Sequence, residues 1–340
     1  MDQSLSRCGS STVPDRVGIG PGVEEAQGGL PFKAELLRSL QSSDLVVGEY
    51  SAFLVETAVQ VIHATDHALR EIEQVRAGTG LDGGFGSHVQ KSVGDFVTAL
   101  DLCLDRHLGR ALTNLKQIEI VSEEGEVPPD LGALAETWLI DPLDATTAYM
   151  CGEFSLCGPM IAYLRHGEPV FSVMLTLDGS TLGLAERGRG AGLLKASHTG
   201  VAWQTDAGLE EMKSLKEGCL LFNPQSDRSR SHPGFDAILA EIGTGKHTLA
   251  SECRVPHSMA ALGLGRNRRV AVVHDNCGEF PKQMAWDVLP VKLWVEERGG
   301  VFWGIDGAPY DIRRPMPIIA ATNPEIASQL IELSSGSRSR

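Results

Sequence analysis

Five acidic residues stand where predicted strands end or predicted helices begin. They are Asp101, Glu123, Asp141, Asp144 and Asp287. If these carboxylates lie close together, they repel one another and raise each other's pKa values, and bound divalent cations would remove that penalty. A ligand set made only of oxygen atoms suits Mg²⁺, Mn²⁺ or Ca²⁺ better than zinc. The pattern therefore predicts a site for hard divalent cations.

The segment that begins at Asp141 also predicts a place for an anion. Pro142 interrupts the preceding strand, so Asp141 and Asp144 can turn toward one site. Thr146 and Thr147 then stand at a predicted helix N-terminus, where backbone N–H groups hold anions. Carboxylates for a metal beside amides for a phosphate are the layout of a metal-assisted phosphatase.

Four motifs in this order carry a resemblance to a known family. The stretch 141–147 resembles the Asp-Pro-hydrophobe-Asp-Gly-Thr signature of the inositol monophosphatase family of Mg²⁺-dependent, often lithium-sensitive phosphatases. Trp286-Asp287-Val288, followed by residues 296–300, resembles its second signature, and residues 91–101 and 122–124 are similar to two further segments. Four ordered motifs are far more specific than one. The resemblance covers residues 49–330.

The resemblance implies a fold and a metal centre. The fold is layered α/β, an alternating α-β-α-β-α sandwich of the inositol monophosphatase and sugar phosphatase type, with the active site between the layers of a homodimer. Glu123, Asp141 and the backbone carbonyl of Leu143 would hold a first Mg²⁺. Asp141, Asp144 and Asp287 would hold a second Mg²⁺, with Mn²⁺ as a substitute.

The resemblance also assigns the catalytic and phosphate-binding residues. Asp101 and Thr146 would orient and deprotonate the attacking water. The amides of Ala145 and Thr146 would bind the phosphate, and Lys91 would lie near the phosphate or a third, weaker metal ion. Ala145 departs from the family, which nearly always has glycine there, and its Cβ would crowd a substrate or strain a positive φ.

The substrate is left open between several small phosphate esters. An inositol phosphate or a sugar or cyclitol phosphate is the leading expectation. Lys282 would suit the second phosphate of a 3′,5′-bisphosphate, the stretch 287–290 is similar to histidinol-phosphate phosphatases, and Glu279 would suit a hydroxyl-rich or cationic leaving group. Ala145 alone supports a function of another class, a catalytically weak regulatory relative that binds metal and phosphate.

Hydrophobic spacing predicts the elements that position these residues. It predicts helices over 49–76 and from Trp286 to a glycine stop at 299–300, and a meander over 155–185. Two sub-domains, 32–190 and 191–333, are expected between tails at 1–31 and 334–340. Further elements are predicted as a helix with a stripe at 104, 108, 111 and 115, a helix starting at Asn323-Pro324, strands at 118–121, 138–140, 219–222, 270–273 and 317–321, and helices near 234–242 and 257–264.

Composition narrows the class of protein. The 340 residues carry 30 Lys and Arg against 44 Asp and Glu, a net charge of −14 that argues against a nucleic-acid-binding surface. Seven scattered cysteines, the absence of a visible signal peptide and the lack of a long apolar run predict a cytoplasmic protein without a membrane partner. His63 and His67 have helical i,i+4 spacing but lack the glutamate of a zinc protease helix, so no metal is expected there.

Overall fold

A computed structural model of the chain describes residues 29–41, 50–79, 88–92, 95–125, 130–197, 200–204, 219–223, 270–274, 285–304, 306–311 and 318–334. The helices in these ranges are α1 Lys33–Gln41, α2 Ala52–Thr79, α3 Ala99–Leu115, α4 Thr146–Met150, α5 Ala285–Glu297 and α6 Pro324–Ser334. The strands are β1 His88–Ser92, β2 Asp95–Thr98, β3 Glu119–Ser122, β4 Glu136–Asp144, β5 Gly158–Arg165, β6 Glu168–Leu175, β7 Thr181–Glu186, β8 Gly190–Ser197, β9 Gly200–Gln204, β10 Cys219–Asn223, β11 Val270–His274, β12 Val301–Gly304 and β13 Ile318–Ala321. Of the described helices, none combines the length and apolar content needed to cross a bilayer.

The described strands form two larger sheets and one short pair. The first sheet has seven strands in the order β3-β4-β5-β6-β7-β8-β9, and the second has four in the order β10-β11-β13-β12. Pairing in the first sheet is antiparallel except between β3 and β4, which run parallel. β7 and β8 pair along their length, from Thr181 opposite Lys195 to Glu186 opposite Gly190. The sub-domain boundary predicted near residue 190 therefore falls inside this sheet. The meander expected over 155–185 thus continues to Gln204.

Alternation along the strands of the first sheet separates two hydrophobic cores. On β5, Ile161 and Tyr163 pack in the core that holds Leu54 of α2 and Leu104 of α3. The intervening Met160, Ala162 and Leu164 pack in the core that holds the buried side chains of α5 and β13. Side chains of a strand point alternately to the two faces, so each face of the sheet is covered by a helical layer. The predicted alternating layered α/β fold is confirmed.

Helix α5 lies between the two sheets and is buried on nearly every side. It contacts β4 to β8 of the first sheet and β12 and β13 of the second. Ten of its residues are buried, which is typical of a helix enclosed within a core. Its end has the predicted glycine stop, because Gly299 has φ +79 and Gly300 donates its N–H to the Val295 carbonyl at 2.9 Å.

Local signals place several other elements. Asp178 and Gly179 form the predicted turn between β6 and β7, where Gly179 has φ +67. Asn323 caps α6 as predicted, since its Oδ1 accepts the Ile326 N–H at 2.9 Å. Leu30, inside the predicted N-terminal tail, is buried, so the packed chain begins before residue 32. The helices predicted near 234–242 and 257–264 and the tail segments 1–28 and 335–340 lie outside the described residues.

Candidate active site

Parallel pairing of β3 and β4 brings Glu123 beside Asp141. Ser122, the last residue of β3, is in register with Ile140 of β4. Glu123 follows β3 directly, and its N–H donates to the Ile140 carbonyl at 3.1 Å. Two acids from segments separated in the sequence therefore meet at one end of the sheet.

A bulge at the end of β4 aims the next acid. Asp141 pairs with Met160 and Asp144 with Gly158, so three steps along β4 correspond to two along β5. Pro142 lies inside this bulge, where a residue without an N–H is tolerated. We expected Pro142 to end the regular strand, and the structure instead continues β4 to Asp144 through the bulge. The Leu143 N–H, freed from the ladder, donates to Asp141 Oδ1 at 3.0 Å.

Three carboxylates converge at this end of the sheet. Glu123, Asp141 and Asp287 each place one oxygen so that the three atoms lie within 4.8 Å of one another. Asp287 reaches the cluster from the first turn of α5. Asp141 is 2% exposed and Asp144 is 7% exposed, so water screens their charges weakly.

Burial and mutual repulsion govern the electrostatics of the cluster. Burial raises the pKa of Asp141 well above its ordinary value, and the nearby charges of Glu123, Asp144 and Asp287 raise it further. Burial, then Asp287 and Glu123, raise the pKa of Asp144 in the same way. Such a cluster is stable in its ionised form only with a cation among its oxygens. The donors around it are all oxygen atoms, and this set fits Mg²⁺ or Mn²⁺.

Asp101 stands at the start of α3 with its two oxygens in different environments. Oδ2 accepts hydrogen bonds from the Thr98 N–H at 2.8 Å and from the Thr98 hydroxyl. The Thr98 side-chain oxygen accepts the Asp101 N–H in return, which completes a capping box at the N-terminus of α3. Oδ1 lies 3.1 Å from the Thr146 Oγ1, which lies 3.2 Å from the Leu143 carbonyl oxygen. Burial raises the pKa of Asp101, although hydrogen bonds from Thr98 and Thr146 act in the opposite direction.

Ala145 has a positive φ, at the position where the signature that this segment resembles has glycine. Its φ is +64, in the left-handed region that side chains with a Cβ rarely adopt. The Ala145 carbonyl accepts the N–H of Ala148 at 2.8 Å, so this residue starts the first turn of α4. The helix N-terminus predicted at Thr146 is present, and the strain at Ala145 is the cost of placing it there.

The structure does not describe every residue that we expected at the site. Lys91 lies in β1, but its side chain and that of Thr147 are outside the described residues, as are Glu279 and Lys282 entirely. One functional residue was missed, namely Thr98, which orients Asp101. Its signal was present in the sequence, since Thr98 and Asp101 have the spacing of a capping box.

Comparison with known proteins places this arrangement among relatives. The sequence model of the inositol monophosphatase family matches residues 49–338. Inositol monophosphatase 1 of Bos taurus is 24% identical over 250 residues, which cover 71% of this chain and 82% of that protein. Inositol-1-monophosphatase ImpA of Mycolicibacterium smegmatis is 36% identical over 85 residues, so the match spans 25% of this chain and 29% of ImpA.

Solved structures share the fold at lower identity. The extragenic suppressor protein suhB of Bartonella henselae aligns with a TM-score of 0.62 and 19% identity, covering 84% of this chain and 99% of that one. An IMPase/NADP phosphatase complexed with Mg²⁺ and phosphate aligns with a TM-score of 0.57 and 18% identity, covering 82% and 95%. At these identities the likeness establishes the layered fold.

Proposed function

Because the chain belongs to the inositol monophosphatase family, we propose that it is a Mg²⁺-dependent phosphatase that hydrolyses a small-molecule phosphate monoester. The observation that carries the proposal is the convergence of Glu123, Asp141 and Asp287 within 4.8 Å, close in the fold to the Asp101–Thr146 pair. An inositol phosphate or a sugar or cyclitol phosphate is the proposed substrate. The homodimer and the cytoplasmic location stay predictions.

The carboxylates are proposed to hold two cations. Glu123, Asp141 and the carbonyl of Leu143 would bind the first, and Asp141, Asp144 and Asp287 the second, so that Asp141 bridges. When bound, such ions neutralise phosphate charge and lower the pKa of water. The raised pKa values of Asp141 and Asp144 support this assignment, because a cation removes the repulsion that raises them.

Asp101 and Thr146 are proposed to position the nucleophile. While the Thr146 hydroxyl donates to Asp101 Oδ1, its oxygen keeps lone pairs free to accept a hydrogen bond from water. The water oxygen forms a bond to phosphorus as the ester P–O bond breaks, and the water proton passes to the Asp101 carboxylate. The leaving oxygen takes a proton from solvent and departs as the alcohol. Thr98 keeps the other oxygen of Asp101 occupied, so the base faces the substrate in one orientation.

The phosphate is proposed to lie against the amides of Ala145 and Thr146, with Lys91 nearby. Fixed backbone donors bind phosphate oxygens without a reorganisation cost. Glu279 and Lys282 are proposed to contact the rest of the substrate. If Lys282 binds a second phosphate, a 3′,5′-bisphosphate becomes the preferred ester, and histidinol phosphate is the other alternative within the same chemistry.

A substrate panel tests the proposal. Phosphate release would be measured with Mg²⁺ on inositol phosphates, sugar phosphates, histidinol phosphate and adenosine 3′,5′-bisphosphate. The wild-type chain should hydrolyse at least one ester, and Asp141→Asn should abolish that activity. Asp306→Asn, the same change in an exposed turn, should leave it intact. Phosphate binding without turnover on every ester would favour the regulatory relative and overturn the phosphatase.

A further inference from the structure

A second cluster of metal-ligating side chains lies between α2 and α3, and its chemistry differs from that of the carboxylate cluster. Glu71, Cys103 and His107 each place one ligand atom so that the three atoms lie within 4.8 Å of one another. Glu71 Oε2 lies 2.9 Å from His107 Nε2. The ring centre of His67 lies 6.1 Å from that of His107.

Helical spacing builds this arrangement from both sides. His67 and Glu71 are four residues apart on α2, and Cys103 and His107 are four residues apart on α3. Residues at this spacing share one helix face, so the packing of α2 against α3 brings the two pairs together. No metal was expected at His63 and His67, which lack the glutamate of a zinc protease helix, whereas in the structure His67 lies near His107 on the other helix.

We propose that Glu71, Cys103 and His107, with His67 as a fourth ligand, bind a transition-metal cation of the zinc class between α2 and α3. Thiolate and imidazole ligands favour zinc and its neighbours over Mg²⁺. Tetrahedral zinc ligands lie about 2.0–2.3 Å from the ion, which puts them roughly 3.3–3.8 Å from each other. The ligand atoms of Glu71, Cys103 and His107 therefore need to approach one another by about an ångström at most.

Arg106 now supplies the positive charge that a metal would supply. Its guanidinium lies 2.6 Å from Glu71 Oε1 and 3.3 Å from the Cys103 sulfur. The Arg106 side chain is 44% exposed, so it can move into solvent without leaving a cavity. On metal binding a sulfur–metal bond forms, the S–H bond breaks, and the proton goes to solvent. The exchange replaces one cation with another and keeps the charge of Glu71 compensated.

The consequence for the fold is a link between two helices at the edge of the site. Asp101 is in the first turn of α3, two residues before Cys103. A cation bound by both helices would hold α3 against α2 and would bind the folded chain more tightly than the unfolded one. Binding at about 100 times the dissociation constant should raise the melting temperature by roughly 5 °C.

Cobalt titration of the metal-stripped full-length protein tests the proposal. Co²⁺ replaces zinc and shows thiolate-to-cobalt charge-transfer absorption in the near ultraviolet. One equivalent should produce this band in the wild type and in Asp141→Asn, which has lost the carboxylate shared by both proposed Mg²⁺ sites. Cys103→Ser should lose the band, and Cys151→Ser, the same change at an exposed cysteine, should keep it. A band that survives in Cys103→Ser, or no band at stoichiometric cobalt, would overturn the site.

Two further variants keep the test decisive if Cys103→Ser fails to fold. His107→Gln changes a partly exposed ligand and should weaken cobalt binding about ten-fold or more. Arg106→Gln removes the competing cation and should strengthen binding about two- to five-fold. Unchanged affinity in His107→Gln, or weaker binding in Arg106→Gln, contradicts the proposal.

Discussion

The two oxygens of Asp101 have separate hydrogen-bond partners, and these partners fix the orientation of the buried carboxylate. Oδ2 is held by Thr98, whereas Oδ1 faces Thr146 at 3.1 Å. A base that is held in one orientation loses little entropy in the reaction. Among the described residues, Thr146 is the one whose side-chain hydroxyl contacts Oδ1 of Asp101. Removal of this hydroxyl should therefore affect the chemistry more than the folding.

Thr146→Ala should lower kcat/KM by about 10²–10⁴ because the water loses its orienting hydroxyl. The free energy of unfolding should fall by only about 1 kcal/mol, the net value of one hydrogen bond. Steady-state kinetics and urea denaturation measure the two effects. Thr113→Ala is the control, since that hydroxyl donates to the Gly109 carbonyl on the exposed face of α3. Wild-type rates in Thr146→Ala would remove Thr146 from the assignment.

Ala145 tests whether the site is specialised or impaired. Ala145→Gly should raise the free energy of unfolding by about 0.5–1 kcal/mol, because glycine adopts φ +64 without strain. Its activity should broaden to more esters without a large gain on the best one, since the N–H that is proposed to bind phosphate is already present. Denaturation curves and kcat/KM across the ester panel measure this. A parallel rise on all esters would show that Ala145 is a lesion.

At the scale of elements, the site depends on the place where β4 ends and β5 begins. Gly158 opens β5 opposite Asp144, and its φ is +153. A Cβ placed there would lie 1.9 Å from the Leu175 carbonyl oxygen of β6, which is backbone and cannot rotate away. The backbone of β6 therefore lies directly against Gly158, which pairs with Asp144 beside the bulge.

Gly158→Ala should destabilise the fold by about 3 kcal/mol or more, through this clash and the positive φ. Gly109→Ala, in the middle of α3 with no atom near the added Cβ, should instead stabilise it by about 0.5–1 kcal/mol. Thermal and urea denaturation of the pair measure the difference. Equal stability of the two variants would contradict the predicted clash, because it would mean that β5 and β6 move apart at little energetic cost.

Sequence patterns predicted the elements whose signals are local. The apolar spacing of α2, the glycine stop of α5 and the Asn323 cap of α6 depend on neighbouring residues alone. Helix α1 was missed because its nine residues bury only Leu36 and Leu40, too few to show a period. β8 and β9 were assigned largely to the second sub-domain because the character of the sequence changes after about residue 192. Strand pairing across a turn is tertiary information.

The residue types of the candidate site could be predicted from the sequence, but the distances between its side chains could not. Aspartates at strand ends and helix starts indicated metal chemistry, but only the parallel β3–β4 pairing brings Glu123 to Asp141. The cluster of Glu71, Cys103 and His107 was not predicted at all, because its ligands come from two helices whose packing the sequence does not encode locally.

At the scale of the whole molecule, one buried charge fastens the start of the described chain to α2. Asp66 is 1% exposed and accepts hydrogen bonds from Lys33 at 2.6 Å, Arg70 at 3.1 Å and the Leu30 N–H at 3.0 Å. Burial alone would raise the pKa of Asp66, but the hydrogen bonds from Lys33, Arg70 and Leu30 outweigh burial and lower it. The folded state therefore favours the ionised form.

The free energy of unfolding should consequently depend on pH through the ionisation of Asp66. With a lowered pKa in the folded state, its contribution is complete above the pKa of the unfolded chain and is lost as pH falls through the folded value. Asp66→Asn should cost about 1–3 kcal/mol near neutral pH, and this difference from wild type should shrink between about pH 5 and pH 3. Urea denaturation across that range measures it, with Glu325→Gln on α6 as the exposed control. A difference that stays constant with pH would contradict the anchor.

The whole fold brings carboxylates from both sheet and helix to one point, and a chain with net charge −14 adds to their repulsion. The most direct test is the rate of phosphate release by the EDTA-stripped enzyme as Mg²⁺ is restored. We predict no turnover without the cation, full recovery with it, and a loss in kcat/KM of about 10³ or more in Asp141→Asn at saturating Mg²⁺. Undiminished hydrolysis after exhaustive EDTA treatment, or wild-type activity in Asp141→Asn, would contradict the account.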